Sequence, residues 1–326
     1  MSWWAIVADV LVIGGGVIGL TTAVKLRESG LAADIWTAER AERTTSAVAG
    51  ATWYPYRASP VDRVLDWTRR SRDYFDAMAA DPRTGVTIRE SLQFWREPLT
   101  ELPWWASAVP DVRLCTGSEL PPGFASGYRF TQPVVTMPVY LRYLTERFQR
   151  AGGSITTRTI SSFAEPAAVA PVVVNCTGLA SRTLVHDPEV VPVRGQWVRV
   201  ANPGVAQVIA DFGHPDGEAY LIPHRDSCIL GGTGEEGEWD TTPDGETAAK
   251  LVARCAELDP RVARAEVLEH RAGLRPVRNA GVRLAAESTV DGGLLVHDYG
   301  HGGAGVTLSW GCAEEVEAIL RARISR

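Results

Sequence analysis

Cysteine is scarce in this chain and badly placed for bridging. Cys115, Cys176, Cys228, Cys255 and Cys312 are scattered over 326 positions, and no two form a C-x-x-C pair. An odd, dispersed set argues against a disulfide framework or a structural zinc site and fits a reducing, cytoplasmic setting. Cationic runs are missing too. The formal net charge is -6, with Lys and Arg spread thinly, so the chain offers neither a nucleic-acid arm nor a polybasic membrane anchor. Long apolar runs are absent as well. The stretch from Trp3 to Leu20 is broken by Asp9 and a glycine cluster and leads into an amphipathic helix, which excludes a transmembrane reading. The start, Met1-Ser2-Trp3-Trp4, lacks the positive charge and cleavage site of a secretory signal. The end, Arg323-Ile324-Ser325-Arg326, does not spell a peroxisomal Ser-Lys-Leu address.

What is present is ordinary globular composition, 45% hydrophobic and 22% charged, in a length that suits two domains or one large α/β domain. Val10-Leu11-Val12-Ile13 is a continuous apolar run, the pattern of a buried parallel strand. A helix is expected over 17–28, stopped by Gly30, and a second strand over 33–37. From Ser59 to Gln132 the texture becomes Trp-rich and Pro-punctuated. A helix follows near 138–150, with Thr136 as its cap and Tyr140, Leu144 and Phe148 on one apolar face. Val172-Val173-Val174 reads as another buried strand. The segment from Val193 to about Arg275 alternates like a sheet, and 307–323 closes the chain as a helix. No internal repeat and no low-complexity linker appears, so the two textures interleave.

Gly14-Gly15-Gly16-Val17-Ile18-Gly19 fits G-x-G-x-x-G between a strand and a helix. Gly14 permits the tight turn, Gly16 lets backbone approach a pyrophosphate, and Gly19 allows close helix–strand packing. Glu39, about twenty residues on, stands where an acidic side chain would bond a ribose hydroxyl. The motif indicates a dinucleotide but does not separate NAD from FAD. Arg40, Thr44, Thr45 and the run Ala49-Gly50-Ala51-Thr52-Trp53-Tyr54-Pro55-Tyr56 suit a loop hugging a long cofactor, since exposed aromatics in series are costly. Near the other end, Gly300-His301-Gly302-Gly303-Ala304-Gly305-Val306-Thr307 brings backbone very close to something or into positive φ. It reads as a second cofactor contact. His297 and His301 in the same stretch have no carboxylate or cysteine set completing a metal site, and no metal is expected.

Taken with Asn175-Cys176-Thr177-Gly178, Arg194-Gly195-Gln196, Ala219-Tyr220-Leu221-Ile222-Pro223 and Gly273-Leu274-Arg275-Pro276-Val277-Arg278, these motifs occur in the order found in D-amino-acid oxidases, and the chain resembles that family over nearly its whole length. The resemblance implies an α/β plus α+β fold: a Rossmann-like, glutathione-reductase-like FAD-binding domain interleaved with a mixed-sheet substrate-binding domain. The boundaries expected are 1–58, 133–192 and 281–326 for the first, and 59–132 and 193–280 for the second. It implies non-covalent FAD, held by Gly14, Gly16, Val17, Ile18, Gly19, Glu39, Arg40, Thr44, Thr45, Ala49, Gly50, Ala51, Ile160, Thr177, Gly178 and the loop Gly302, Gly303, Ala304, Gly305, Val306 and Thr307.

The same resemblance assigns Arg275 and Tyr220 to the substrate α-carboxylate, which a planar guanidinium matches in a way that Lys cannot. The Gly303 carbonyl would accept from the amine. Trp53, Tyr54 and Tyr56 would wall the side-chain pocket. The implied reaction is oxidative deamination, with the Cα–H leaving as hydride to flavin N5 and oxygen reduced to hydrogen peroxide. Orientation rather than a side-chain base would carry it.

Aromatic walls favour neutral, apolar D-amino acids. D-aspartate oxidase is the nearest alternative and needs another cation, for which Arg225 is the candidate. Glycine oxidase fits less well, and a non-catalytic flavin protein least. The segment 210–218 before Tyr220 is short and carries no second tyrosine, which departs from the tyrosine-bearing lid of the animal enzymes and predicts a more open pocket with easier product release. A D-amino acid and oxygen are the expected partners, with the protein a monomer or a homodimer.

Overall fold

The computed structural model describes residues 8–289 and 292–324. Residues 1–7, which hold the start of the chain and the first part of the apolar stretch 3–20, lie outside the described residues. Val10–Ile13 forms the centre of a six-stranded sheet, in the order Arg283–Ser288, Leu294–Tyr299, Val172–Asn175, Val10–Ile13, Ala33–Thr37 and Ile155–Thr157. Every neighbour is parallel except the pair at the Arg283–Ser288 edge. All four residues of Val10–Ile13 are buried, which is why that strand reads as an unbroken apolar run. Ile13 stands opposite both Trp36 and Asn175, so three strand ends finish level.

Helix Val17–Glu28 leaves that edge and packs on the C-terminal helix Gly305–Ile324. The C-terminal helix also carries Val61–Met78, where Gly311 lies directly against the Trp67 backbone. No helix among the described residues is long and apolar enough to cross a membrane.

The second sheet has nine strands. Along it run Glu235–Glu236, Val190–Ala201, Ser227–Gly231, Ala219–Pro223, Val208–Asp211, Val86–Trp95, Ser126–Val135 and Arg113–Leu114, and Val267–Arg278 also pairs with Val190–Ala201. Residues opposite one another share a face, and the face alternates along each strand. Val198, Val200, Leu221, Cys228 and Leu230 therefore point one way, where Ala248, Leu251 and Cys255 of helix Gly245–Leu258 cover them. Gly195, Trp197, Tyr220, Val208, Ala210, Gln93 and Arg275 point the other way, toward the six-stranded sheet. One period-two pattern thus supplies both a hydrophobic core and the floor of a site.

Thr136 sits at the N-terminus of helix Met137–Arg150, as its sequence position predicts, but its hydroxyl caps nothing. It shares a 3.1 Å hydrogen bond with His224 Nδ1 at the end of strand Ala219–Pro223, tying the helix to the second sheet. Burial, with Arg89 and Arg199 nearby, pushes His224 down to about 4. A histidine depressed in the fold stabilises it above the unfolded value near 6.5, and that stabilisation is lost as pH falls toward 4. The loss amounts to about 3 kcal/mol. The melting temperature is expected to drop across that window, and His224→Gln to flatten the drop; an unchanged slope would refute the assignment.

Candidate functional site

A cavity of about 660 Å³ lies between the C-terminal ends of the parallel strands and the inward face of the nine-stranded sheet. It is continuous from Gly14 and Glu39 at one end to Tyr220 and Arg275 at the other. Such a shape suits one long ligand spanning both sheets.

At the first end Gly14 takes φ +123°, and a Cβ there would overlap the Cys176 carbonyl. Gly19 packs against the Gly14 carbonyl, behind the cavity rather than on it. The N-terminus of Val17–Glu28 consequently opens into the space, with Gly15, Gly16, Val17 and Ile18 on its wall. Within the hydroxyl cluster it is Ser46, rather than Thr44 or Thr45, that reaches this terminus: the Val17 amide donates to Ser46 Oγ at 2.9 Å. Thr44 instead donates to the Ala41 carbonyl, though both threonines line the cavity.

Glu39, Ile160, Thr177 and Gly178 line it as well. So does Arg158, whose guanidinium lies 4.2 Å from the Trp36 ring centre. Nothing local in the sequence singles out Arg158, because its place depends on the parallel pairing of Ile155–Thr157 with Ala33–Thr37.

The middle is built by segments that cross between the sheets. Trp197 Nε1 donates to the Val48 carbonyl at 2.6 Å and holds the 45–48 turn on the second sheet. The Val135 amide donates to Ala51 and the Trp53 amide to Pro133, so Ala49, Gly50 and Ala51 are pinned along the cavity. From the other side, Gly302 donates to the Pro276 carbonyl at 2.9 Å and His301 bridges Val277. The glycine loop is thereby laid beside Arg275, and Gly302, Gly303, Gly305 and Val306 face the cavity.

At the far end Arg275, Tyr220, Tyr56, Glu218 and Gly303 converge. The Arg275 guanidinium lies over Gly195, where a Cβ would overlap it, and Nη1 donates to the Thr233 carbonyl at 2.9 Å. Tyr220 stands over Gly231 and Gly232, again where side chains would collide. Burial raises its phenol, while the Arg275 guanidinium pulls it the other way. The Tyr56 hydroxyl donates to Glu218 Oε1 at 2.8 Å, and burial with that carboxylate pushes Tyr56 up to about 12. Both phenols therefore keep their protons at neutral pH, and the Tyr220 hydroxyl is left to donate to a carboxylate.

Several expectations are corrected by position. Trp53 is 1% exposed and lies off the cavity, its indole donating to the Thr68 carbonyl and its ring edge-on to Trp105. Along the extended segment Tyr54 and Tyr56 face the site, and Trp53, one residue before Tyr54, faces the core. Arg40 is exposed and Ala304 buried, neither on the cavity. Thr307 is also off it; its hydroxyl accepts from the Tyr54 amide at 3.0 Å and so positions a wall residue. Arg225 points into solvent with its side chain 94% exposed.

In the short segment before Tyr220, Phe212 stacks on Tyr54 with ring centres 5.5 Å apart and forms part of the wall. Asp298, His301 and Cys312 form a buried cluster, with ligand-type atoms within 4.8 Å. His301 Nε2 is 3.2 Å from Asp298 Oδ1. Burial raises the Cys312 thiol well above its ordinary value, which disfavours the thiolate that a metal would require.

The sequence model of the FAD dependent oxidoreductase family matches residues 9–319. A D-amino-acid oxidase of Rubrobacter xylanophilus is 51% identical over 320 residues, covering 98% of this chain and 98% of the relative. One of Streptomyces coelicolor is 48% identical, covering 95% and 96%. Human D-aspartate oxidase is 33% identical, covering 96% and 94%. Among solved structures, glycine oxidase of Geobacillus kaustophilus superposes with a TM-score of 0.82 at 20% identity, covering 97% of this chain and 95% of that one, which bears on the fold alone.

FAD fits the cavity: a glycine turn that no Cβ would allow, a helix N-terminus and an acidic residue lie at one end, and a second glycine loop lies at the other. Gly16→Val would push a branched side chain into the approach beside Ser46. The purified variant is expected to retain at least about tenfold less flavin by absorbance, with an unchanged circular-dichroism spectrum. Normal flavin content would count against the placement.

Proposed function

The chain belongs to the family of FAD-dependent oxidoreductases, and from that premise we propose that it is an oxidase of neutral D-amino acids, forming 2-oxo acids, ammonia and hydrogen peroxide. The observation that carries this reading is the meeting of Arg275, Tyr220 and the Gly303 backbone at the far end of the dinucleotide cavity. FAD, when bound, supplies the two-electron acceptor and the subsequent reaction with oxygen.

The chain's own residues supply orientation. Arg275 has one N–H engaged by Thr233, which fixes the plane of its guanidinium and leaves the remaining donors for a carboxylate. Tyr220, kept protonated by burial, donates its hydroxyl to the same group. The Gly303 carbonyl accepts from the amine. The carboxylate and the amine are two fixed substituents of Cα and the side chain against the Tyr54 and Phe212 wall is the third, so that only the D form directs its Cα–H toward the cofactor end.

Neutral side chains are favoured by charge as well as by the aromatic walls. Glu218 lies on the cavity wall, hydrogen-bonded to Tyr56, and would repel a second carboxylate on the substrate. Arg158 and Arg275 are the cations lining the cavity among the described residues, and Arg158 belongs to the Trp36 end. The D-aspartate reading therefore lacks its partner charge. A cytoplasmic protein, monomeric or homodimeric, completes the proposal, with five cysteines all free.

Peroxide release in air from D-alanine but not L-alanine tests the activity; release from neither would remove it. Arg275→Ala is expected to raise KM and lower kcat together, reducing kcat/KM on the order of a hundredfold with FAD still bound. Gly195→Ala should act in the same direction by displacing the guanidinium it underlies. Ordinary kinetics in either variant would contradict the assigned clamp.

A further inference from the structure

On its inward face, away from the carboxylate anchor, the nine-stranded sheet carries Ser91, Gln93 and Gln132, with Arg89 opposite Gln132. Ser91, Gln93 and Gln132 are 0%, 2% and 0% exposed. The Ser91 hydroxyl, the Gln93 carbonyl oxygen and both polar atoms of the Gln132 amide have no hydrogen-bond partner. Each such orphan costs about 1–3 kcal/mol, so four together call for a ligand that satisfies them. Gln93 and Gln132 both line the cavity.

Their place in it follows from register. Tyr220 stands opposite Ala210, and Ala210 opposite Gln93, so the three form a row across neighbouring strands on one face. Adjacent strands lie about 4.8 Å apart, which sets Gln93 roughly 10 Å across the sheet from Tyr220. Ala210, between them, contributes only a methyl group and leaves a passage. The stacked pair Tyr54 and Phe212 also borders the cavity there. A substrate anchored by its carboxylate at Arg275 and Tyr220 can lay its side chain over Ala210 and present its end to Gln93. Glu218, nearer the anchor, keeps a negative end out.

We propose that this row is a specificity subsite for D-amino acids whose neutral side chain ends in a carboxamide, with Gln93 as the residue that reads it. The inference rests on the oxidase reading above. An extended glutamine side chain reaches about 4 Å from Cα to its amide carbon, and the Gln93 side chain reaches about as far from the other end of the row, so the two amides meet over the alanine. The substrate N–H donates to the orphaned Gln93 carbonyl, and an amide offers donor and acceptor at once, as Gln132 and Ser91 do on the neighbouring positions of the face. An apolar side chain of the same length fills the passage but leaves these groups unpaired.

The test compares kcat/KM for D-glutamine and D-methionine, two neutral substrates of equal chain length, in the unaltered FAD-loaded protein and in Gln93→Leu. Because the ratio is taken within one preparation, losses in folding or cofactor content cancel. The expected result is a fall of about tenfold or more in the D-glutamine to D-methionine ratio on substitution. A ratio that does not move overturns the subsite, the amides then holding solvent only. D-alanine, too short to reach Gln93, separates the two levels of failure. If it is oxidised while the ratio stays fixed, only the subsite is wrong. If no D-amino acid is oxidised by the unaltered protein, the oxidase reading fails and the subsite with it.

Discussion

The site depends on a seam of backbone hydrogen bonds between the glycine loop and the strand that bears Arg275. Gly302 donates to the Pro276 carbonyl, and His301 bridges Val277, one and two residues beyond the arginine. The loop itself begins where a strand of the parallel sheet ends and runs on into the C-terminal helix. The dinucleotide half and the carboxylate-binding half are therefore fixed relative to each other by main chain, not by side chains that could rotate. The Val135–Ala51 and Trp53–Pro133 bonds do the same on the opposite wall. Orientation is what the proposed chemistry requires most, and backbone pairing is the stiffest means a protein has of providing it.

Space at the reacting end is made by glycines rather than by loops. Arg275 lies over Gly195, Tyr220 over Gly231 and Gly232, and the Tyr56 ring against Gly303. Each functional side chain thus occupies the volume that a neighbour's Cβ would take. The arrangement explains why Arg-Gly-Gln and Leu-Arg-Pro, some eighty residues apart in sequence, act as one unit. They are opposite each other on paired strands, with Arg275 aligned to Val193 and Gly273 to Gly195.

How much of this could be read beforehand followed the range of the interactions. The strand, glycine turn and helix from Val10 to Glu28 depend on local backbone and were legible directly. Arg275 and Tyr220 were legible only through the ordered motifs of a family, because nothing near them in sequence shows what they face. Trp53 was misplaced because an aromatic run does not state its own phase: in an extended segment alternate residues face opposite ways, and Tyr54 and Tyr56 took the cavity. Gln93 and Arg158 were missed for another reason. Each reaches the cavity through a strand pairing with a partner more than a hundred residues away, Gln93 with Ala210 and the Arg158 region with Ala33–Thr37.

The central claim is that a dinucleotide cavity and a handed carboxylate anchor share one rigid seam. Anaerobic mixing of the FAD-loaded protein with D-alanine and, separately, L-alanine tests it most directly. The account predicts that D-alanine bleaches the flavin and L-alanine leaves it oxidised. Bleaching by both at comparable rates, or by L-alanine alone, would contradict it.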